Sequence, residues 1–541
     1  MSSKPEVDYT LYLVTDSTPA ILGNKDIVQV VEQAIKGGVT LVQYRDKHAD
    51  TGVMIETAAR LHTVTKKHNI PLLINDRLDV CQAIGAEGAH IGQDDISYLE
   101  ARRILGPNAI IGVTASSIQE ADNAIREGAD YLGIGTTFAT PTKQDTKSII
   151  GTKGLQEILG ATMTGTEHPI PCVAIGSINA TNVQRVLHQS AHGTNRLNGV
   201  AIVSAIMASP NPQASASELL SLIKTTPEKY YAAVPPGIIA ITTASELLTQ
   251  IPTIIKTHVT SSPLSHNMTN TVVQNFAANV SIATGGSPIM SESGPEAPDL
   301  ARLGGGLVIN MGTATPEKLA TFAAGLKAYN AVGSPVLLDP VGGGATALRR
   351  ESIKNLLAAG FFSIIKGNEG EIGAVVSAGA FTSQLALSQR EQQQRGVDSG
   401  PSTLTRDEKI QRVKSLAQRE HCIVLMTGAT DYLSDGVRTA TVSNGSHFLG
   451  KITGAGCALG SVIVSYAAIY PQDRFLATLA ALLHYELAAE NAEARADLVR
   501  GPGSFIPAFL DELYLFGEEV KVGKGLAAKG LLEGRAKVEL V

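Results

Sequence analysis

Charged side chains follow several short β-branched runs in the first 206 residues of this 541-residue chain. Arg45, Lys47 and Lys143 carry positive charge and hydrogen-bond donors of the kind that bind phosphate oxygens. Asp76 and Asp95 carry carboxylates, and Mg²⁺ commonly takes one or two carboxylates together with substrate phosphates. Brought to one place, these five side chains predict a site for a metal-bound diphosphate.

The elements that must position these side chains alternate between strand-like and helical segments. Eight strand-like runs occur between residues 9 and 206, and this pattern predicts βαβ units that close into a (β/α)8 barrel. This prediction is weakest at the connection between the third and fourth strands, where only residues 79–86 are available for a helix. Function in such barrels lies at the carboxyl ends of the strands, where these motifs fall. Each motif alone also fits a solvated strand end, a turn or a helix cap.

Two further motifs follow the predicted seventh and eighth strands, Gly176-Ser177 and Val203-Ser204. Barrels often bind a phosphate at these two loops through backbone N–H groups. We therefore expect a second phosphate subsite beside the first. His90 lies inside a strand-like run, and the sequence favours a packed strand residue there rather than a chemical role.

Residues 9–206 resemble thiamine phosphate synthases through the motifs QYRDK, LLIND, HIGQDD, GVTA, TPTK, AIGSI and VSAI, in the family order. The resemblance implies that a pyrimidine diphosphate loses diphosphate and that the nitrogen of a thiazole phosphate then attacks the pyrimidine cation. It implies Mg²⁺ on Asp76 and Asp95. The pyrimidine diphosphate would be bound by Gln43, Arg45, Lys47, Asn75, Thr114 and Lys143. The thiazole phosphate would lie near Thr140, Thr142, Gly176, Val203 and Ser204.

A glycine-rich segment in the second half, KITGAGC at 451–457, precedes an apolar helix. Glycines at a helix N-terminus leave N–H groups that stabilise charge on a transferring phosphoryl group. Cys457 falls in the first predicted turn, where the helix dipole is expected to favour its thiolate. The residues leave a second interpretation open, in which the glycines only allow close packing and Cys457 is a small core residue.

Three more candidates follow strand-like runs upstream of this segment. Lys366 is expected to meet a nucleotide phosphate, Glu371 to hold Mg²⁺, and Thr427 to line the nucleotide, although the NEGE stretch also fits a plain helix start. The runs after residue 238 predict an open α/β sheet with helices on both faces. A further helix is predicted over residues 269–283, and a mobile surface loop over 383–409.

Residues 240–541 resemble hydroxyethylthiazole kinases, a ribokinase-like family, through SHNMTNTVVQNFAAN, SPIMS, LVINMGT, LLDPVGGGAT, IIKGNEGEI, MTGATD, KITGAGCALG and RGPGSF. The resemblance implies ATP-dependent phosphorylation of the thiazole hydroxyethyl group. Thiazole contacts would lie at Met290 and Gly454, nucleotide contacts at Lys366 and Thr427, and the catalytic position at Cys457. Ribokinase relatives generally carry Asp there, so positioning can matter more than proton abstraction. The family is trimeric, which implies self-association through this domain.

Together these features predict a barrel domain at 1–228, a linker at 229–239 and a kinase domain at 240–541, resembling the fused enzymes of fungal thiamine biosynthesis. We expect small-molecule substrates, Mg²⁺, ATP as co-substrate and a cytoplasmic location. A net charge of −6 argues against nucleic acid, and no apolar run approaches the roughly 18 residues of a membrane span. Two alternatives remain: a related enzyme pair acting on other phosphorylated heterocycles, and a non-catalytic sensor of thiamine precursors.

Overall fold

A computed structural model describes residues 4, 6–138, 150–162, 170–192, 195–225, 243–379, 404–523, 532 and 534–541. The chain divides into two compact units, which part between residues 227 and 228. The predicted linker at 229–239 lies outside the described residues, as do Thr140, Thr142 and Lys143. Among the described residues, none of the helices joins the length and the apolar character that crossing a membrane requires.

The first unit is a closed barrel of eight parallel strands, in which β8 pairs with β1 to complete the ring. The predicted (β/α)8 barrel is therefore confirmed. Its strands are β1 Leu11–Val14, β2 Leu41–Tyr44, β3 Leu72–Asn75, β4 Gly88–Ile91, β5 Ile110–Ala115, β6 Tyr131–Ile134, β7 Cys172–Ile175 and β8 Gly199–Ile202.

Helices follow the strands around this barrel, and the short third connection does hold one, α4. Local signals set their ends: at α2 the Asp26 carboxylate accepts the N–H groups of Val28 and Gln29, which a helix start leaves free. The helices are α1 Pro19–Leu22, α2 Ile27–Lys36, α3 Thr51–Lys67, α4 Leu78–Ile84, α5 Tyr98–Leu105, α6 Ile118–Glu127, α7 Gly151–Ala161, α8 Val183–Gln189, α9 Ser204–Met207 and α10 Pro212–Lys224.

One glycine determines what fills the barrel interior. A Cβ added at Gly112 would lie 2.0 Å from the Tyr131 ring, far inside van der Waals contact. Glycine on β5 therefore makes room for a fully buried tyrosine on β6. Its hydroxyl contacts Tyr12 and His90, which line the cavity described below.

The second unit is built on a nine-stranded sheet with the order β10-β9-β11-β12-β13-β14-β15-β16-β17. Strands β9 to β14 are parallel, and the last three pair antiparallel. The strands are β9 Leu264–Met268, β10 Ser287–Ile289, β11 Gly306–Asn310, β12 Val336–Asp339, β13 Ile364–Asn368, β14 Ile423–Thr427, β15 Asp431–Ser434, β16 Thr439–Val442 and β17 Val538–Leu540.

Helices cover both faces of this sheet, as predicted. Alternate side chains of β11 serve two apolar cores, since Val308 packs on one side and Leu307 with Ile309 on the other. Helices α11, α12 and α18–α20 cover the first core, and α13–α17 the second. The helices are α11 Ala244–Ser261, α12 Gln274–Ala283, α13 Ala297–Arg302, α14 Pro316–Val332, α15 Ala347–Ala359, α16 Glu369–Gly379, α17 Arg406–Glu420, α18 Ala455–Ile469, α19 Arg474–Ala494 and α20 Pro502–Val522.

Two predicted boundaries are wrong. The helix expected over 269–283 begins only at Gln274, and Val272 is 69% exposed rather than part of a buried stripe. The loop expected over 383–409 ends earlier, because α17 begins at Arg406 with a capping box in which Thr405 and Glu408 each accept the other's backbone N–H. Residues 383–403 lie outside the described residues.

Two histidines lie deep in the core between α11 and α18–α20. His484 Nε2 is 2.9 Å from the Leu513 carbonyl oxygen, which only accepts, so Nε2 carries the proton and Nδ1 accepts from the Tyr466 hydroxyl at 2.6 Å. The His258 ring stacks on Tyr466 with centroids 3.9 Å apart. Burial lowers the pKa of His258 to about 3 and that of His484 to about 4, so both rings are neutral.

We expect the second unit to lose stability as the pH falls below 6.5, the ordinary histidine pKa. Each folded-state pKa is lowered, so the stabilisation is complete above pH 6.5 and declines down to the folded-state value, by about 1.4 kcal/mol per pH unit and ring. Hydrogen exchange of α19 peptides in the full chain, corrected for its intrinsic pH dependence, measures this slope. His484→Gln should flatten it, and His447→Gln, at an exposed site, should not. Identical slopes for all three proteins would contradict the assignment.

Candidate active sites

The carboxyl ends of the barrel strands open into a cavity of about 710 Å³. Parallel strands end on the same side, so residues far apart in sequence meet there. The predicted site residues that line this cavity are Gln43, Arg45, Lys47, Asn75, Asp95, Thr114, Gly176, Val203 and Ser204. Asp76 lies beside Asp95 at the same mouth. The cluster expected from the sequence is thus brought together, apart from Thr140, Thr142 and Lys143, which lie outside the described residues.

Two carboxyl groups face each other at this mouth. Asp76 follows β3, and its side chain lies within hydrogen-bonding reach of Asp95, whose Oδ2 accepts the Gly92 N–H at 2.7 Å. Burial, and next the charge of Asp95, raise the pKa of Asp76, while Lys47 acts in the opposite direction. A divalent cation would relieve this repulsion, so the pair fits Mg²⁺. No group of three or more His, Cys, Asp or Glu side chains is arranged for a metal in the described ranges, and Mg²⁺ needs no more than one or two carboxylates.

Arg45 is held at the cavity wall by a buried carboxylate. Its Nη1 lies 3.7 Å from Asp16 Oδ2, and Asp16 Oδ1 accepts both the N–H and the hydroxyl of Thr18. Asp16 follows β1 and is 2% exposed. Asp16 is not among the residues predicted from the sequence, although its position at the end of a strand-like run is typical of a barrel site residue.

A chain of hydrogen bonds links side chains at the floor of the cavity, and every member except the deeper Tyr131 lines the cavity. The Gln43 amide donates to the Tyr12 hydroxyl at 2.6 Å, and the hydroxyls of Tyr12 and Tyr131 lie 2.8 Å apart. Tyr131 Oη is 2.8 Å from His90 Nδ1, and His90 Nε2 is 2.9 Å from Thr114 Oγ1. Burial raises the pKa of both tyrosines, so both phenols keep their protons at neutral pH. The chain joins β1, β2, β4, β5 and β6.

His90 lies in β4, as the sequence predicts, and its side chain also lines the cavity, which the sequence did not indicate. The available signal was the set of polar side chains, Tyr12, His90 and Tyr131, inside otherwise apolar strand runs. Such a pattern marks a polar interior, because buried polar groups require partners.

The loops after β7 and β8 form one side of the cavity. Gly176 has φ +117°, and a Cβ there would lie 2.6 Å from the Thr136 side chain and 2.7 Å from the Thr137 nitrogen. Only glycine fits this close approach. Val203 directly precedes α9, whose first residue is Ser204. The loop residues predicted to bind the second phosphate thus line the same cavity as Asp95.

In the second unit a buried polar network forms where β11, β12 and β13 end. The Asn270 amide donates to Asn310 Oδ1 at 2.9 Å, and the Asn310 amide donates to Asp339 Oδ2 at 2.9 Å. Lys366 Nζ donates to the same Asp339 oxygen at 3.0 Å and to the Gly456 carbonyl at 2.7 Å. Lys366 is only 3% exposed, so it lies beneath the first turn of α18 rather than on an open surface.

Asp339 Oδ1 has no hydrogen-bond partner among the described residues, although it is buried. Glu371 lies nearby in the first turn of α16, where Oε1 accepts the Gly342 N–H at 2.9 Å and Oε2 the Asn368 N–H at 2.8 Å. Burial and the Asp339 charge raise the pKa of Glu371 to about 7. An orphaned carboxylate oxygen beside a second carboxyl fits a divalent cation.

Cys457 lies in the first turn of α18, with its sulfur 3.6 Å from the Asn270 amide nitrogen. Burial, and next the Asp339 charge, raise its pKa to about 11, and Lys366 offsets only part of this. The expectation that the helix dipole favours the thiolate is therefore wrong. Loss of water and a nearby carboxylate outweigh the dipole, so the group is a neutral thiol at pH 7.

The remaining candidates lie along the same edge of the sheet. Gly454 has φ +88°, and a Cβ there would lie 2.5 Å from the Val273 side chain, so the loop before α18 passes close to the start of α12. Met290 follows the edge strand β10 and is partly buried against the adjoining core. Thr427 ends β14 in register with Asn368 of β13. Met290 and Thr427 thus lie on opposite sides of the buried network.

Comparisons with known proteins match each unit separately and the chain as a whole. Residues 11–206 match the family model of thiamine monophosphate synthase, and residues 255–519 match that of the hydroxyethylthiazole kinase family. A Schizosaccharomyces pombe protein named probable thiamine biosynthetic bifunctional enzyme is 43% identical and covers 96% of this chain and 97% of its own. The Saccharomyces cerevisiae thiamine biosynthetic bifunctional enzyme is 34% identical and covers 97% and 98%.

Solved structures match one half of the chain each. A hydroxyethylthiazole kinase from Pyrococcus horikoshii is 31% identical with a TM-score of 0.44, and covers 54% of this chain and 98% of its own. A thiamine phosphate pyrophosphorylase from Pyrococcus furiosus is 33% identical with a TM-score of 0.35, and covers 40% and 97%.

The raised pKa of Cys457 predicts slow alkylation. At pH 8 iodoacetamide should react with it about a hundredfold more slowly than with a thiol whose pKa is 9.0, and the rate should rise with pH toward about 11. Mass spectrometry of the peptide that contains Cys457 measures this rate. A synthetic peptide of residues 454–460 is the matched control. A rate that reaches its plateau below pH 9 would contradict the neutral thiol.

Proposed function

This chain belongs to the family of bifunctional thiamine biosynthetic enzymes, which joins a thiamine phosphate synthase and a hydroxyethylthiazole kinase, and we propose how its two sites divide the chemistry. In this proposal the second unit phosphorylates the thiazole alcohol with ATP. The barrel then condenses the thiazole phosphate with hydroxymethylpyrimidine diphosphate to thiamine phosphate and diphosphate. The product of one unit is a substrate of the other.

In the barrel, we assign the pyrimidine diphosphate to the mouth of the 710 Å³ cavity. Arg45 and Lys47, with Lys143, bind the diphosphate oxygens, and Asn75 adds a polar contact. Asp76 and Asp95 hold Mg²⁺, which when bound neutralises charge on the leaving diphosphate. These groups lower the barrier by stabilising charge that develops as the diphosphate departs. Asp16 holds the Arg45 guanidinium at the cavity wall, where it can bind the diphosphate.

The floor of the cavity orients the pyrimidine. The hydrogen bonds along the chain Gln43–Tyr12–Tyr131–His90–Thr114 hold each side chain in one orientation. The donors and acceptors that remain for the pyrimidine ring are therefore fixed in position. Both phenols stay neutral, so these tyrosines place no negative charge next to the pyrimidine cation. The thiazole phosphate subsite comprises Thr140, Thr142, Gly176, Val203 and Ser204.

In the kinase unit, Asp339 and Glu371 hold Mg²⁺, which when bound screens the phosphates of ATP. Lys366 and the N–H groups at the start of α18 stabilise the transferring phosphoryl group, and Thr427 contacts the nucleotide. Met290 and Gly454 contact the thiazole. Cys457, as a neutral thiol, orients the hydroxyethyl group rather than removing its proton.

The wider setting follows from the family. We propose that the protein is cytoplasmic and self-associates through its kinase unit, as a trimer or a multiple of one. Small molecules are its partners in catalysis. The observation that best supports the assignment is the barrel cavity, where Arg45, Lys47 and Asp95 meet the loops that follow β7 and β8, with Asp76 beside Asp95.

Single substitutions should separate the two activities. Arg45→Ala should reduce condensation by two orders of magnitude or more (about 3 kcal/mol) and spare phosphorylation, because it removes the charge on the diphosphate. Gly456→Asp should do the reverse, since its side chain would project toward Lys366 Nζ, only 3.7 Å from the Cβ position, and repel phosphate. A coupled assay with thiazole alcohol, ATP and pyrimidine diphosphate, plus separate assays of each step, measures both.

Matched controls are available for both changes. Arg60→Ala removes an exposed arginine of the same unit, and Gly456→Ala adds only a methyl group in ordinary contact. Both should retain both activities. The two-site assignment fails if either test variant, still folded, loses both activities, or if the wild-type chain forms no thiamine phosphate from the three substrates.

Removing one carboxylate should change the magnesium requirement of one reaction only. Asp76→Asn should raise the Mg²⁺ concentration for half-maximal condensation about tenfold, with the kinase titration unchanged, because one ligand charge is lost. Asp79→Asn, nearby on the surface and paired with Arg77, is the control. An unchanged Mg²⁺ titration in Asp76→Asn would remove Asp76 from the metal site.

A further inference from the structure

We propose that Glu486 of α19 is a positioning residue for nucleotide binding, acting through Asp431 on the turn at residues 427–430. The inference rests on the proposed nucleotide role of Thr427, and it concerns groups outside the network around Asp339. Its basis is a buried pair of carboxyl groups within hydrogen-bonding reach of each other, of which Asp431 also accepts from the backbone of this turn.

Asp431 ties down the turn between β14 and β15. It is 3% exposed, and its Oδ1 accepts the Gly428 N–H at 2.8 Å. Gly428 directly follows Thr427, so this bond fixes the peptide next to the proposed nucleotide contact. The turn is tight, since a Cβ at Gly428 would lie 3.3 Å from the Thr430 carbonyl oxygen. The orientation of Asp431 therefore sets the orientation of the turn.

Glu486 in turn orients Asp431. It lies in the middle of α19 with 6% exposure, and the two carboxyl groups are within hydrogen-bonding reach. Glu486 Oε2 is buried and has no donor among the described residues. Two carboxylates can only accept, so a bond between them requires one proton. Two unshared negative charges at this depth would cost far more than one shared proton.

The charges around the pair favour this state. Glu490, one turn further along α19, accepts from the Asn444 amide, the Gly445 N–H and Lys537 Nζ. Lys537 is bound by Glu490 and offsets only part of the effect on Glu486, whose pKa is raised by burial and by the charges of Asp431 and Glu490. Lys366 is the cation that acts on Asp431. Glu486 consequently carries the proton and donates it to the Asp431 carboxylate.

A helix-packing role alone would make a different prediction. If Glu486 only fills space, a leucine of similar volume serves as well as a glutamine. If it positions Asp431 by donating a hydrogen bond, only glutamine substitutes, because its amide N–H replaces the shared proton. The two cases separate in the KM for ATP rather than in overall stability.

The test uses the full chain and steady-state kinase kinetics. Glu486→Leu removes one hydrogen bond to Asp431 and should therefore raise the KM for ATP about tenfold. The kcat and the KM for the thiazole should stay within about twofold of wild type. Glu486→Gln should keep all three constants within about twofold. Glu493→Leu makes the same change two turns away on α19, at an exposed site, and should have no effect.

Each outcome decides the proposal. Equal effects of Glu486→Leu and Glu486→Gln, or no effect of Glu486→Leu on the KM for ATP, would overturn it. Thr427→Val tests the nucleotide role separately: if it raises the KM while Glu486→Leu does not, the nucleotide site stands and the positioning role falls. Where Glu486→Leu yields no folded protein, Asp431→Ala removes the acceptor of the Gly428 N–H and should give the same selective rise.

Discussion

The parallel direction of neighbouring strands is the constraint on which both sites depend. Parallel strands end at one edge, so a residue placed directly after each strand reaches the same space whatever its sequence position. In the barrel this brings Arg45 of the second connection to the same cavity as Gly176 and Ser204. In the second unit it brings Asn310 and Asp339, the last residues of β11 and β12, into one hydrogen-bonded network with Lys366 of the neighbouring strand β13. Both reactions of this family act on phosphates, and both edges gather groups that balance phosphate charge.

Loss of water then decides which of these groups are charged. Burial keeps Tyr12 and Tyr131 as neutral phenols and Cys457 as a thiol, and it raises the pKa of Glu371 to about 7. Lys366 is equally buried yet keeps its charge, because Asp339 lies 3.0 Å away and raises its pKa. The Asp339–Lys366 ion pair thus lies beside a partly protonated Glu371 and a neutral Cys457 thiol.

The sequence predicted what depends on local patterns. Alternating runs identified the barrel and the open sheet, and polar residues after the runs identified nine residues of the cavity lining. It did not predict what depends on neighbours from other elements. The raised pKa of Cys457 depends on its burial and on Asp339, over a hundred residues away, and the hydrogen bonding of His90 depends on Tyr131 across the barrel. The predicted start of α12 was wrong because residues 271–273 form a turn before the helix although they continue its apolar pattern.

The assignment of the diphosphate to the barrel mouth is open to direct observation. Crystals of the full chain grown with Mn²⁺ and a non-reactive pyrimidine diphosphate analogue would locate the metal by the anomalous signal of manganese and the analogue by its electron density. We expect one manganese between Asp76 and Asp95, with the diphosphate in contact with Arg45 and the pyrimidine over Tyr12 and His90. A manganese bound elsewhere on the barrel, or an analogue outside this cavity, would contradict the account.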